Sequence, residues 1–217
     1  MKPPTPNIPT KTLRLQKAIE LISHKNYEAA EKEIQCAIQE AEQAKDLLSQ
    51  ALLYSTLGLL FKLKKDFKTA WRHYEKAEKL LPADPALKLI SARLLVDVFG
   101  QYDTAIRKAE KVLQIASHDG AYAHQAHITK GLAYLKKGDK KKTQQEFVKA
   151  MSHDFENVGS AANIDFKLLE GLLKRQLAVE DCYAYLKKAL AYAQKKEEEK
   201  YVKLIQKMIE SFPQTKR

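Results

Sequence analysis

LGLLFKLKKDFKTAWRHYEKAEKLLPADP, residues 57–85, sets a glycine, a phenylalanine, two alanines and a tyrosine at offsets that decide the fold. Gly58 and Phe61 stand three apart; after a turn at Asp66-Phe67, Ala70, Tyr74 and Ala77 recur at intervals of four and three. Such intervals put each set on one face of a helix. Gly58 and Ala70 allow two helices to cross closely, Leu57, Phe61 and Tyr74 fill the volume beside the crossing, and Ala77 leaves room for a following helix. Pro82 stops the second helix, because proline breaks the helical hydrogen-bond ladder and biases the residue before it away from the helical region.

Working outward, Tyr54-x-x-Leu57-Gly58-x-x-Phe61, then Ala70-x-x-x-Tyr74-x-x-Ala77 and Pro82, returns as Gly131-x-x-Tyr134, Gly138-Asp139, then Thr143-x-x-x-Phe147-x-x-Ala150. This pattern resembles the tetratricopeptide repeat, a helix–turn–helix unit of about 34 residues. The second copy departs from it at Lys130, where leucine is usual, at Thr143 for alanine, and at Phe155 where the proline would stand. Two weaker copies carry Asn26-Tyr27-x-x-Ala30-x-x-x-Ile34-x-x-Ala37 and Gly100-x-Tyr102-x-x-Ala105-x-x-x-Ala109-x-x-Val112, with Ala18 and Arg93 in place of the glycine. The small residues Ala30, Ala70, Ala105 and Thr143 are spaced by 40, 35 and 38 residues, which suits a mildly expanded array.

The resemblance implies an all-α fold, a right-handed α-solenoid of four to five helix pairs closed by a C-terminal capping helix. Its repeat domain covers 11–194, with units near 11–50, 51–84, 86–119 and 124–157 and a degenerate pair at 161–194. A proline-rich arm, 1–10, precedes it, with Thr10 or Thr12 available to cap the first helix. The helix expected over 197–212 bears apolar Tyr201, Val202, Leu204, Ile205, Met208, Ile209 and Phe212, with KKEEEK as its solvated side.

Composition agrees. The 217 residues are 45% hydrophobic and 30% charged with 7 Gly and 7 Pro, which suits a helical globular chain better than a sandwich or a disordered one. Prolines after Met1-Lys2 stand where a secretory signal would place apolar residues, and no run approaches the roughly 18 apolar residues of a membrane span, so a cytoplasmic protein is expected. Cys36 and Cys182 form no CxxC pair and are expected as two buried, reduced thiols.

In this family, stacked first helices line a concave groove that receives a peptide or helix, so the resemblance implies a site there. Helical periodicity assigns it Leu15, Ile19 and Ile22; Leu52, Ser55, Leu59 and Lys62; Leu87, Ile90, Leu94 and Asp97; then Gln125, Ile128, Leu132 and Leu135. A register shift of one residue would instead make these residues core. The family's carboxylate clamp needs asparagine on first helices, but Asn7, Asn26, Asn157 and Asn163 all lie elsewhere. An apolar trough favours an amphipathic helix or hydrophobic peptide. The arm, the last helix or a second copy of the chain are alternative occupants.

Net charge is +11, yet only 6 of the 38 basic residues are arginine. Lys68, Arg72 and Lys76, then Arg107, Lys108 and Lys111, then Lys140, Lys141 and Lys142 on a turn, form a basic outer face that either steers an acidic partner or is a plain solvated surface. Without interleaved aromatics it fits nucleic acid poorly, although lysine electrostatics toward a polyanion stays an alternative to an adaptor, as does a self-assembling subunit. His124 and His127, three apart, suggest a metal pair only weakly without HExxH or a nearby cysteine, and Cys36 has no histidine partner for nucleophilic chemistry. Neither a Walker loop nor GxGxxG occurs. The expectation is a non-enzymatic adaptor with no cofactor or metal, whose partner is another protein.

Overall fold

The computed structural model describes residues 10–116, 118–153, 155, 158, 160–161 and 164–211. Residues 1–9 of the expected arm, Asn157, Asn163 and Phe212 lie outside these. Among the described residues there is no strand, and the fold is all-α. Helices α1 (Thr10–Ser23), α2 (Tyr27–Gln43), α3 (Leu47–Leu63) and α4 (Phe67–Leu80) are followed by α5 (Pro85–Leu94), which widens into a π turn at Leu95–Phe99. Then come α6 (Tyr102–Ile115), α7 (Gly120–Lys137), α8 (Lys140–Ser152), α9 (Lys167–Leu173), α10 (Val179–Lys195) and α11 (Glu199–Glu210). Thr10 is the first residue of α1, so it and Thr12 belong to the helix instead of capping it from outside.

The turns explain the regular pairing. Lys25, Lys45, Lys65, Gly138 and Glu197 have left-handed backbone. Around each, the next amide reaches back to a carbonyl five residues earlier, as in Asp46 N to Ala41 O at 2.9 Å and Asp66 N to Phe61 O at 2.9 Å. That closure satisfies the last carbonyls of one helix. Asp46, Asp66 and Asp139 then cap the next helix, their carboxylates accepting from Ser49, Thr69 and Lys142 amides at 3.0–3.1 Å. A Lys-Asp or Gly-Asp dipeptide thus ends one helix and starts another.

The chain divides into two compact units, residues 1–91 and 92–217. In the first, α1 pairs with α2 and α3 with α4, while α2 and α3 also pack together. Ala18, Ala30, Ile34, Ala37, Ala51, Leu57, Leu60 and Ala77 form its core. A Cβ on Gly58 would lie 2.4 Å from the Tyr74 ring, which is why the crossing requires glycine. Cys36, expected inside, is exposed: α2 turns Ile34, Ala37, Ile38 and Ala41 inward and leaves the thiol on its outer side.

In the second unit α6 packs on α7, α7 on α8 and α9, and α10 on α9 and α11. Ala105, Thr143, Phe147 and Ala150 are fully buried, and Tyr185 of α10 anchors an aromatic cluster with Phe147, Phe155, Phe166 and His124. Lys130, the odd residue at a leucine position, is buried and paired with Glu146 at 3.2 Å and Glu110 at 3.5 Å. Arg93, at a glycine position, is held by Asp165 at 2.6 Å and Asp97 at 3.8 Å.

Candidate functional site

The residues expected to line a groove divide sharply. On α1, Ile19 is exposed while Leu15 and Ile22 are partly buried against the core. On α3, Leu52 is 51% exposed and Leu59 44%, with Lys62 exposed and Ser55 half-buried between them. These α3 residues share one face because they follow at intervals of three and four. On α5, Ile90 is exposed whereas Leu87 and Leu94 are buried. On α7, Gln125 is half-buried, but Ile128, Leu132 and Leu135 are 2%, 5% and 5% exposed. These three, with Leu87 and Leu94, are core residues and do not line an open groove.

Within the second unit the cause is α9. Leu168 lies where a Cβ on Gly131 would be 2.4 Å away, and Leu135 meets Gly171 equally closely. Leu168, Leu169 and Leu172 are completely or almost completely buried. At its start, Lys167 pairs with Asp97 at 3.0 Å and Asp165 with Arg93. The chain therefore packs its own short helix on the face of α7 that the repeat pattern turns outward. The leucine-rich sequence of α9 signalled a helix, but not which surface it would cover.

Polar groups near α7 are committed to structure. The buried His124 places Nδ1 2.9 Å from the Ala150 carbonyl and Nε2 3.1 Å from the Tyr185 hydroxyl. A carbonyl only accepts, so Nδ1 carries the proton and Tyr185 donates to Nε2. Burial holds this ring's pKa below its ordinary value. His127 points instead to Glu146, Nδ1 to Oε2 2.7 Å. Burial would raise the Glu146 pKa, but His127 and Lys130 more than offset it and hold the carboxyl at about 2. The two histidines thus diverge, and among the described residues no group of three or more His, Cys, Asp or Glu could hold a metal ion. Burial, with Asp181 beside it, pushes the Cys182 thiol up to about 12, far from a nucleophile.

The basic residues lie on α4, α6 and α8. Lys68, Arg72, Arg107, Lys111, Lys140, Lys141 and Lys142 are exposed and Lys108 is half-buried. Lys140, Lys141 and Lys142, expected on a turn, form the first turn of α8. Lys76 donates to the Tyr54 hydroxyl and stands 4.0 Å over that ring, so it serves packing. Lys142 similarly covers Tyr134 and reaches Asp139 at 3.6 Å. Among the described residues no helix is long and apolar enough to cross a membrane.

No family model and no curated protein matches the chain. Solved structures do. PilW, a widely conserved type IV pilus biogenesis factor, matches with a TM-score of 0.64 at 14% identity, over 86% of this chain and 79% of that one. The apo form of RapI matches at 0.67 and 18% identity, over 94% and 78%. A thermophilic TPR protein of Thermus thermophilus matches at 0.56 and 18% identity, over 87% and 94%. With the paired helices, the glycine crossing and the repeated turn, the chain has the helical-repeat fold of the tetratricopeptide-repeat proteins.

Proposed function

We propose that the protein is a non-catalytic, cytoplasmic adaptor that binds a partner helix or hydrophobic peptide on the first unit, along α3 with Ile19 of α1 beside it. The observation that carries this is the exposure of Leu52 and Leu59 on one face of a helix whose other faces are buried. Isolated surface leucines are ordinary, but leucines repeated along one helix face form an apolar strip that a partner can cover. Burying such a strip contributes about 25 cal/mol per Å² before the ordering costs of association. The fold supports the class of function by analogy, since arrays of this kind commonly bind other proteins. Exposed basic side chains such as Lys68 and Arg72 on α4 offer a face of their own to an acidic neighbour.

The test is capture of partners from native lysate on the immobilised chain, with and without nuclease, beside the variant Leu52→Glu/Leu59→Glu. A protein retained through nuclease and moderate salt, and lost in the variant, supports the adaptor. Retention by both chains, or collapse with nuclease or salt, overturns it in favour of charge-driven binding.

A further inference from the structure

The exposed face of α3 is longer than the residues above. Leu48 and Leu63 are also exposed, at 67% and 45%. At 100° per residue, Leu48, Leu52, Leu59 and Leu63 fall within an arc of roughly 60° along about 22 Å of helix. Halfway along the strip, half-buried Ser55 and buried Thr56 lie about 20° outside this arc on either side. The spacing from Leu48 through Leu52, Ser55 and Leu59 to Lys62 alternates four and three, the rhythm of a helix that packs along another helix.

This strip is symmetric about a point between Ser55 and Thr56. Turned end for end, Leu48 faces Leu63 and Leu52 faces Leu59. The flanking turns obey the same symmetry with opposite charge: Lys45 faces Asp66, and Asp46 faces Lys65. Lys62 faces Ser49, so no like charges oppose one another. A parallel arrangement would instead set Lys62, Lys64 and Lys65 against their own copies. Nearest the axis, Ser55 faces Thr56 of the copy, and these two small side chains let the backbones approach.

We infer that the partner helix is α3 of a second copy of this chain, packed antiparallel about a twofold axis at Ser55–Thr56, with Leu48 on Leu63, Leu52 on Leu59, and Lys45 and Asp46 on Asp66 and Lys65. Such an interface is isologous, each patch completing its own copy. The inference rests on the docking face proposed above and specifies its occupant.

Sedimentation equilibrium of the full chain, from about 1 µM to about 1 mM, reads the association directly. The mass should rise from 24.7 kDa toward twice that value, and Leu52→Glu/Leu59→Glu should remain at 24.7 kDa with unchanged helical circular dichroism. In a Cys36→Ser background, mild oxidation should cross-link Ser55→Cys and the double variant Leu48→Cys/Leu63→Cys. Leu48→Cys alone should not cross-link, because its counterpart is then about 22 Å away. A mass fixed at 24.7 kDa throughout, or a dimer that survives the glutamates, overturns the inference. A synthetic amphipathic helix with leucines at three–four spacing separates the two proposals. If a monomeric chain binds it and the glutamate variant does not, the second-copy inference fails and the docking face stands. If a monomeric chain ignores it, both fail.

Discussion

Leu59 and Leu132 each follow a pattern glycine by one residue, on α3 and α7, yet one is 44% exposed and the other 5%. Their neighbours differ in the same sense: Ser55 corresponds to the buried Ile128, and exposed Lys62 to the buried Leu135. Even the glycines have changed partners. Gly58 admits Tyr74 from its own helix pair, whereas Gly131 admits Leu168 from α9. One repeat pattern thus supports two outcomes, a face left to solvent and a face that the chain covers itself. Which apolar surface such a fold leaves open depends on which of the two a given helix adopts.

The largest expected effect separates those outcomes. Leu132→Glu places a carboxylate at a buried position and should cost about 4 kcal/mol or more, while Leu59→Glu, at an exposed one, should cost under about 1 kcal/mol. Urea unfolding followed by circular dichroism compares them. Equal losses would break the distinction.

Next in size is the glycine pair. Gly58→Ala drives a methyl into the Tyr74 ring and should cost about 2 kcal/mol, because the ring is buried and has little room to turn. Gly131→Ala meets the far end of a leucine side chain, which can shift where a ring cannot, and should cost less; both variants recover about 1 kcal/mol of helix propensity. Trp71, the single tryptophan, lies in the first unit and reports Gly58→Ala by fluorescence.

A smaller effect follows from His124. Its folded pKa lies below the unfolded value of about 6.5, so the unfolded chain binds the proton first and stability falls as pH drops through 6.5. Glu146 adds no pH dependence in that range: its stabilisation is complete above an unfolded pKa of about 4.3 and is lost only as pH falls toward about 2. His124→Phe should therefore lower stability at pH 7 while flattening its decline between pH 7 and pH 5, measured as urea midpoints. An unchanged slope would show that the ring is not held neutral.

The fold was legible because its signals are local. Gly58, Ala70, Tyr74 and Ala77 specify a crossing, and Asp66-Phe67 and Gly138-Asp139 mark its turns, while the left-handed Lys25, Lys45 and Lys65 that close turns carry no such signal. The site was half legible for a physical reason. Periodicity identifies residues that need apolar surroundings but not whether the same chain supplies them, so Leu52 and Ile128 look alike until α9 is placed. Cys36 illustrates the converse, since a helix with Ile34, Ala37, Ile38 and Ala41 inward leaves the intervening thiol outside.

The smallest stability change should accompany the largest loss of binding. Leu52→Glu/Leu59→Glu should leave unfolding free energy within about 1 kcal/mol of the parent and abolish partner binding, a contrast that a core role for these leucines would reverse.

Hydroxyl-radical footprinting of the dilute chain, quantified by mass spectrometry at individual leucines, tests the central contrast most directly. Leu48, Leu52, Leu59 and Leu63 should label readily while Leu132, Leu135, Leu168 and Leu172 stay protected. Labelling of Leu132 and Leu135 at the rate of Leu52 and Leu59 would mean that α9 does not cover α7, and the distinction between an open and a filled face would be wrong.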